Sequence, residues 1–151
     1  MMTGLTGKRL TIGPSHLAWL SHALGLDTLT DRPDLEELLG NVPSLSLEAL
    51  SEGVEVVREG DPGEDLYMLF KGEAVVVRGG KTVASLSPGD FFGEVSFLVG
   101  IPRTATVRAG KDCQVFRMRG SDFNVVLQRN PQVTESIRST AKARMKKLLG
   151  D

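Results

Sequence analysis

The chain has 151 residues, enough for one domain with added helical segments. Its 18 basic and 19 acidic side chains leave a formal charge of −1, so no global field draws it to nucleic acid or an anionic membrane. A single cysteine, Cys113, excludes an internal disulfide framework and fits a reducing compartment, and no apolar run reaches the length of a membrane span.

In chain order, residues 1–12 mix glycine, threonine and basic side chains without the apolar core of a signal peptide. A loose leader on a soluble, cytoplasmic protein is therefore expected. From Pro14 to Leu26 the pattern is helical: Leu17, Leu20 and Leu24 share one face, flanked by Trp19 and Ala23, with Pro14 or Ser15 at the start. A second short helix is predicted from Pro33 to Leu39, closed by Gly40-Asn41. The two histidines, His16 and His22, lie six residues apart. On a helix they point about 120° away from alignment, which is poor for sharing a metal ion.

Beyond Pro43 the period drops towards two. Leu45 to Leu50, Val54 to Val57, Leu66 to Phe70, Glu73 to Val77, Thr82 to Leu86, Thr104 to Ala109 and Cys113 to Met118 read as strands. Glycine-rich turns such as Gly79-Gly80 and Ser87-Pro88-Gly89-Asp90 separate them, a rhythm that describes a sandwich or barrel, with jelly-roll topology among the options. Gly80-Lys81-Thr82 imitates the end of a P-loop, but that motif needs glycine where Val75 stands and a helix afterwards. A hairpin turn fits better. The strands contain no histidine, so Cys113 lacks a base and a hydrolytic metal lacks ligands. The chain does not read as an enzyme.

After the strands, Ser121 is placed to cap a helix through Phe123, Val126 and Leu127, with Asp122 favourable in its first turn. Asn130-Pro131 ends that helix and starts another, on which Val133, Ile137, Ala141, Met145 and Leu148 form one stripe. The basic cluster of Arg138, Lys142, Arg144, Lys146 and Lys147 fits a solvated face near a helix C-terminus. Without a reading motif it gives no reason to expect direct nucleic-acid binding. One helix after Pro131 is also too little for a helix-turn-helix module.

The most informative stretch lies between the last two groups of strands, at residues 91–107. Gly93-Glu94 opens an apolar segment of about two helical turns, Gly100 and Pro102 stop it, and Arg103 stands at the mouth of an alternating strand. Gly93 permits close approach to the backbone, and the first turn after it leaves N–H groups free for an anion. Glu94 is an acceptor suited to a ribose hydroxyl, and Arg103 offers a planar fork to phosphate oxygens. This order of groups suits a small phosphate ester carrying a sugar hydroxyl.

Phe92-Gly93-Glu94 and Arg103-Thr104-Ala105-Thr106-Val107, so spaced, resemble the phosphate-binding cassette of the cyclic-nucleotide-binding domain family. Catabolite activator proteins, kinase regulatory subunits and cyclic-nucleotide-gated channels belong to that family. Glu59 to Tyr67 also resembles its early turn and strand, so the resemblance covers roughly residues 44 to 149. It implies a mainly β fold, an eight-stranded jelly-roll barrel with flanking N-terminal helices and a C-terminal lid helix. On this resemblance, residues 1–43 are expected to form an N-terminal leader and helical segment, and 44–151 the cyclic-nucleotide-binding domain. It further implies a binding site of Phe92, Gly93, Glu94, Val95, Ser96, Arg103, Thr104 and Ala105, with Arg144 on the lid as the cap.

The function so implied is a non-catalytic receptor for cyclic AMP, the commoner ligand in the family, or cyclic GMP. It would need no cofactor or metal, and would signal by movement of the C-terminal helices. The alternative is a family fold with a degenerate pocket, acting as a protein-interaction module. The terminal helices are the natural surface for a second copy or an effector protein. Thr104 permits cyclic GMP, since its hydroxyl can bond the exocyclic amine of a syn guanine. Two features depart from the family pattern. The amphipathic helix before the first barrel strand is missing or displaced, and Phe97 stands where a leucine is common. Phe123 and Val126 are the expected hinge contacts of Phe97.

Overall fold

The computed structural model describes residues 7–24 and 42–150, without the side chains of 148–150. Among these residues nine strands form two antiparallel sheets. In chain order the strands are β1 (Lys8–Leu10), β2 (Ser46–Ala49), β3 (Glu55–Val57), β4 (Leu66–Lys71), β5 (Ala74–Arg78), β6 (Lys81–Leu86), β7 (Phe91–Phe92), β8 (Thr106–Ala109) and β9 (Gln114–Met118). The first sheet runs β1-β2-β9-β4-β7 and the second β3-β8-β5-β6. The helices are α1 (Pro14–Ala23), α2 (Glu94–Val99), α3 (Gly120–Arg129) and α4 (Pro131–Gly150). This is the expected jelly-roll class with flanking helices. The expected barrel does not close, because no ladder joins the two sheets among the described residues.

Among the described residues there are nine strands where eight were expected. Residues 8–10, read as part of a loose leader, form β1 and pair with β2 in the register Lys8↔Ala49 to Leu10↔Leu47. Two exposed basic residues and one half-buried leucine give three residues no visible period, so pairing with β2 alone defines the strand. The predicted helix at Pro33 to Leu39 lies outside the described residues.

The first sheet is buried on both faces, which explains the near-continuous apolar run of β4. Tyr67 and Leu69 point to the second sheet and join Ala74, Leu86, Val107 and Val115 in a core between the sheets. Leu66 and Met68 point the other way, where they meet Leu47, Phe116, Leu20, Phe123, Val126 and Ile137 under the helices. The alternation along the strand thus serves two cores. Edge strand β6 is the contrast: Lys81 to Ser85 are all exposed.

Helix α1 packs on the outer face of the first sheet. Leu20 is buried there, and Trp19 meets Phe70 edge-on at 4.8 Å between centroids and stacks on Phe116 at 6.0 Å. His16 accepts a hydrogen bond from the Gly13 N–H at 2.9 Å, a local cap for the start of α1.

Helix α3 begins two residues earlier than a Ser121 cap would place it, and Arg119 stands at the cap position instead. The chain passes straight from β9 through Arg119 into the helix at Gly120. A side chain at Gly120 would lie 2.7 Å from both the Phe97 ring and the Glu64 carbonyl, so glycine allows this tight joint. Asp122 accepts hydrogen bonds from the Ser44 backbone, at 3.1 Å, and from its hydroxyl, while Ser44 Oγ accepts from the Arg119 N–H at 2.9 Å. The α3–α4 joint is firm as well. Buried Asn130 donates to the Val126 carbonyl at 2.8 Å, and Val133, Ile137 and Ala141 bury the predicted stripe of α4.

Candidate functional site

The short strand β7 pairs with β4 through Tyr67↔Phe92, and this pairing delivers the chain to Gly93 at the edge of the inter-sheet core. Gly93 has φ +89°, in the left-handed region. A Cβ there would sit 2.7 Å from the Asp65 carbonyl oxygen and 2.9 Å from Arg103 Nη1. Only glycine satisfies both the angle and the space. Helix α2 follows for six residues and ends at Gly100, again left-handed, whose N–H bonds the Ser96 carbonyl at 2.9 Å.

Two buried charges face each other's neighbourhood here. Arg103 is 6% exposed; it donates to the Gly93 carbonyl at 3.2 Å and to the Asp65 carbonyl at 3.0 Å. Its guanidinium lies 5.9 Å from the centre of the Tyr67 ring, which stacks on Phe92 at 5.0 Å. Burial pulls the Arg103 pKa down from its ordinary value, opposed by Tyr67 and Asp65. The main chain is fixed from the same side. Arg103 N–H donates to the Asp61 carbonyl and Gly60 N–H to the Arg103 carbonyl, both at 2.8 Å.

Glu94 is 1% exposed. Its Oε1 accepts from Arg144 Nη1 at 2.5 Å, while Oε2 has no partner among the described residues. Burial pushes the Glu94 carboxyl above the usual range, with the Arg144 charge working against that rise. Arg144 reaches in from α4, also donates to the Phe91 carbonyl at 2.8 Å, and lies 5.8 Å from the centre of the Phe91 ring. An arginine with a third of its side chain exposed therefore plugs a buried carboxylate.

All nine residues singled out in the sequence line one cavity of about 200 Å³: Phe92, Gly93, Glu94, Val95, Ser96, Arg103, Thr104, Ala105 and Arg144. Its opposite wall is apolar, made of Val57, Val76, Ala84, Leu86 and Val107 from the second sheet. That wall was not read from the sequence, and neither was the place of Arg78 and Lys147 in the cavity lining. The bed of Arg103 was missed as well. Gly63 backs the guanidinium so closely that a Cβ would lie 2.8 Å from Nη2. The signal was present in Glu59 to Tyr67, but main-chain carbonyls do not announce themselves in side-chain patterns.

The expected hinge contact is present. The Phe97 and Phe123 rings meet edge-on at 6.1 Å, with Val126 fully buried beside them. Cys113 is buried and its thiol is pushed up by that burial, so it stays protonated away from the cavity. Among the described residues no group of three or more His, Cys, Asp or Glu could hold a metal ion, and no helix is long and apolar enough to cross a membrane.

Comparison with known proteins agrees with this geometry. The family model described as "Cyclic nucleotide-binding domain" matches residues 47–130, more than half of the chain. A cyclic nucleotide-gated potassium channel of Rhizobium etli is 30% identical over 107 residues, covering 71% of this chain and 30% of the channel. A cAMP-dependent protein kinase regulatory subunit of Hypocrea atroviridis is 37% identical over 84 residues, covering 56% of this chain and 18% of that protein. Among solved structures, cAMP-bound PfPKA-R superposes with a TM-score of 0.72 at 25% identity, over 91% of this chain and 47% of that one. The chain thus spans under a third of the length of these two curated relatives. With cassette, two-sheet fold and family model in agreement over the same residues, the chain belongs to the cyclic nucleotide-binding domain family.

Proposed function

We propose that residues 44–151 act as a non-catalytic receptor for a 3′,5′-cyclic purine mononucleotide, cyclic AMP or cyclic GMP. The observation that carries this is that two buried charges, Glu94 and Arg103, line the same cavity opposite a largely apolar wall. Phosphate would take Arg103 together with the amides of Gly93 to Ser96. The ribose hydroxyl would take Glu94, whose Oε2 is unpartnered among the described residues. The base would lie on the wall of Val76, Ala84 and Leu86. The solved cAMP-bound PfPKA-R supports the choice of ligand class by its likeness alone.

Signalling would run through α4. Arg144 already occupies one oxygen of Glu94, so a ribose hydroxyl arriving at that carboxylate meets the helix and not an empty wall. The cavity of about 200 Å³ is also below the ~300–1,000 Å³ usual for ligand sites. Admitting a nucleotide therefore requires Arg144 and α4 to shift and reseat. Ligand changes the position of α4 only to the extent that it binds one arrangement better than the other.

Titration calorimetry with cyclic AMP and cyclic GMP tests the receptor, and hydrogen exchange tests the lid. Saturable one-to-one binding is expected, with exchange slowed across residues 132–147 when nucleotide is added. Equal exchange with and without bound ligand would rule out the lid. The alternative, a pocket that serves as an internal ion-pair network, draws on the fact that Arg103 and Arg144 are both partnered within the protein. It predicts no binding of either nucleotide.

A further inference from the structure

The cavity wall facing the cassette is apolar with one exception. Arg78 ends β5 two residues after Val76, and alternation puts both on the inner face of the second sheet. Both line the cavity. The register Val77↔Thr106 between β5 and β8 sets Arg78 one step further along, beside Ala105 and close to Thr104. Its guanidinium has no ion pair or hydrogen bond among the described residues, unlike Glu94, Arg103 and Arg144 on the other side of the same cavity.

A half-buried, unpaired guanidinium on an apolar wall is a set of donors without acceptors. Phosphate and ribose already have Arg103 and Glu94 in the receptor assignment made above, on which this argument rests. The part of the ligand left for the wall is the base. Guanine and hypoxanthine each present two adjacent acceptors, O6 and N7, which match two donors of one arginine. Adenine offers N7 beside an amino group, and that amine is a donor facing donors. We propose that Arg78 reads the base and makes this receptor prefer a 6-oxopurine cyclic nucleotide over cyclic AMP.

Cyclic IMP separates this contact from any made by Thr104. It carries O6 and N7 but lacks the 2-amino group that the Thr104 hydroxyl could bond. Dissociation constants for cyclic GMP, cyclic IMP and cyclic AMP are measured by calorimetry on the full chain and on its Arg78→Ala and Arg78→Met variants. The unmodified chain is expected to bind cyclic GMP and cyclic IMP roughly five- to a hundredfold more tightly than cyclic AMP. In both variants that preference should disappear, mainly through loss of affinity for the two oxopurines. Arg78 closes an edge hairpin and is not part of either core, so both variants should melt with the unmodified chain. A preference that survives both substitutions overturns the proposal. So does an equal weakening of all three ligands, which would assign Arg78 to the phosphate. A chain that binds none of the three overturns the receptor assignment itself.

Discussion

Arg103→Ala is expected to weaken cyclic-nucleotide binding by roughly ten- to a hundredfold, and Glu94→Ala by a similar factor. Each removes a charge-assisted contact worth about 1.5–3 kcal/mol in a site with little competing water. The two variants should differ in stability. Arg103 bridges the Gly93 and Asp65 carbonyls, so its loss unties β7 from the turn before β4 and costs about 1–3 kcal/mol. Removing Glu94 frees an arginine that is already a third exposed and can turn to water, and it deletes a carboxylate whose burial is unfavourable. Its effect on the melting temperature should be small. Arg103→Lys separates charge from shape: it keeps the cation but loses the fork, and should bind more weakly than the unmodified chain yet more tightly than Arg103→Ala. Titration calorimetry and thermal denaturation read both quantities. Unchanged affinity in both alanine variants would sink the site assignment.

What could be read from the sequence is what adjacent residues encode. Phe92-Gly93-Glu94 and Arg103-Thr104-Ala105 are contiguous, and their side chains do the work, so the cassette was legible without coordinates. The strands were legible for the same reason, since alternation is a local signal. β1 was not, because three residues carry no period and its partner lies some forty positions on. Nor was the early start of α3, where a glycine is selected by the Phe97 ring packed against it and not by its neighbours in the chain. Arg144 was named through its place after Asn130-Pro131, but its pairing with Glu94 depends on how α4 lies over α2. Arg78 was hidden most fully. In sequence it is the last residue of a strand before Gly79-Gly80, where a charged side chain ordinarily meets solvent, and only the register with β8 turns it towards the cavity.

The two glycines around Arg103 give the sharpest comparison, since one supports the backbone and the other only the guanidinium. Gly93→Ala is expected to lose both stability and binding. Its φ of +89° strains any other residue by about 1–3 kcal/mol, and the new Cβ would lie 2.7 Å from the Asp65 carbonyl, a main-chain atom that cannot step aside alone. At about 2–4 °C per kcal/mol for a chain of this size, a fall of several degrees in melting temperature should result. Moving Asp65 also disturbs the acceptor of Arg103 Nη2, so affinity falls with it. Gly63→Ala should behave otherwise. Its φ lies outside the left-handed region, and its three nearest atoms all belong to the Arg103 side chain, at 2.8, 2.9 and 3.1 Å. A guanidinium on a flexible stem swings away where a carbonyl cannot. The fold should survive with a melting temperature close to that of the unmodified chain, while binding falls towards the level of Arg103→Ala because the fork no longer faces the phosphate. Wild-type affinity in Gly63→Ala would mean that ligand holds Arg103 in some other position, and that the bed between Gly63 and Gly93 does not orient it for binding.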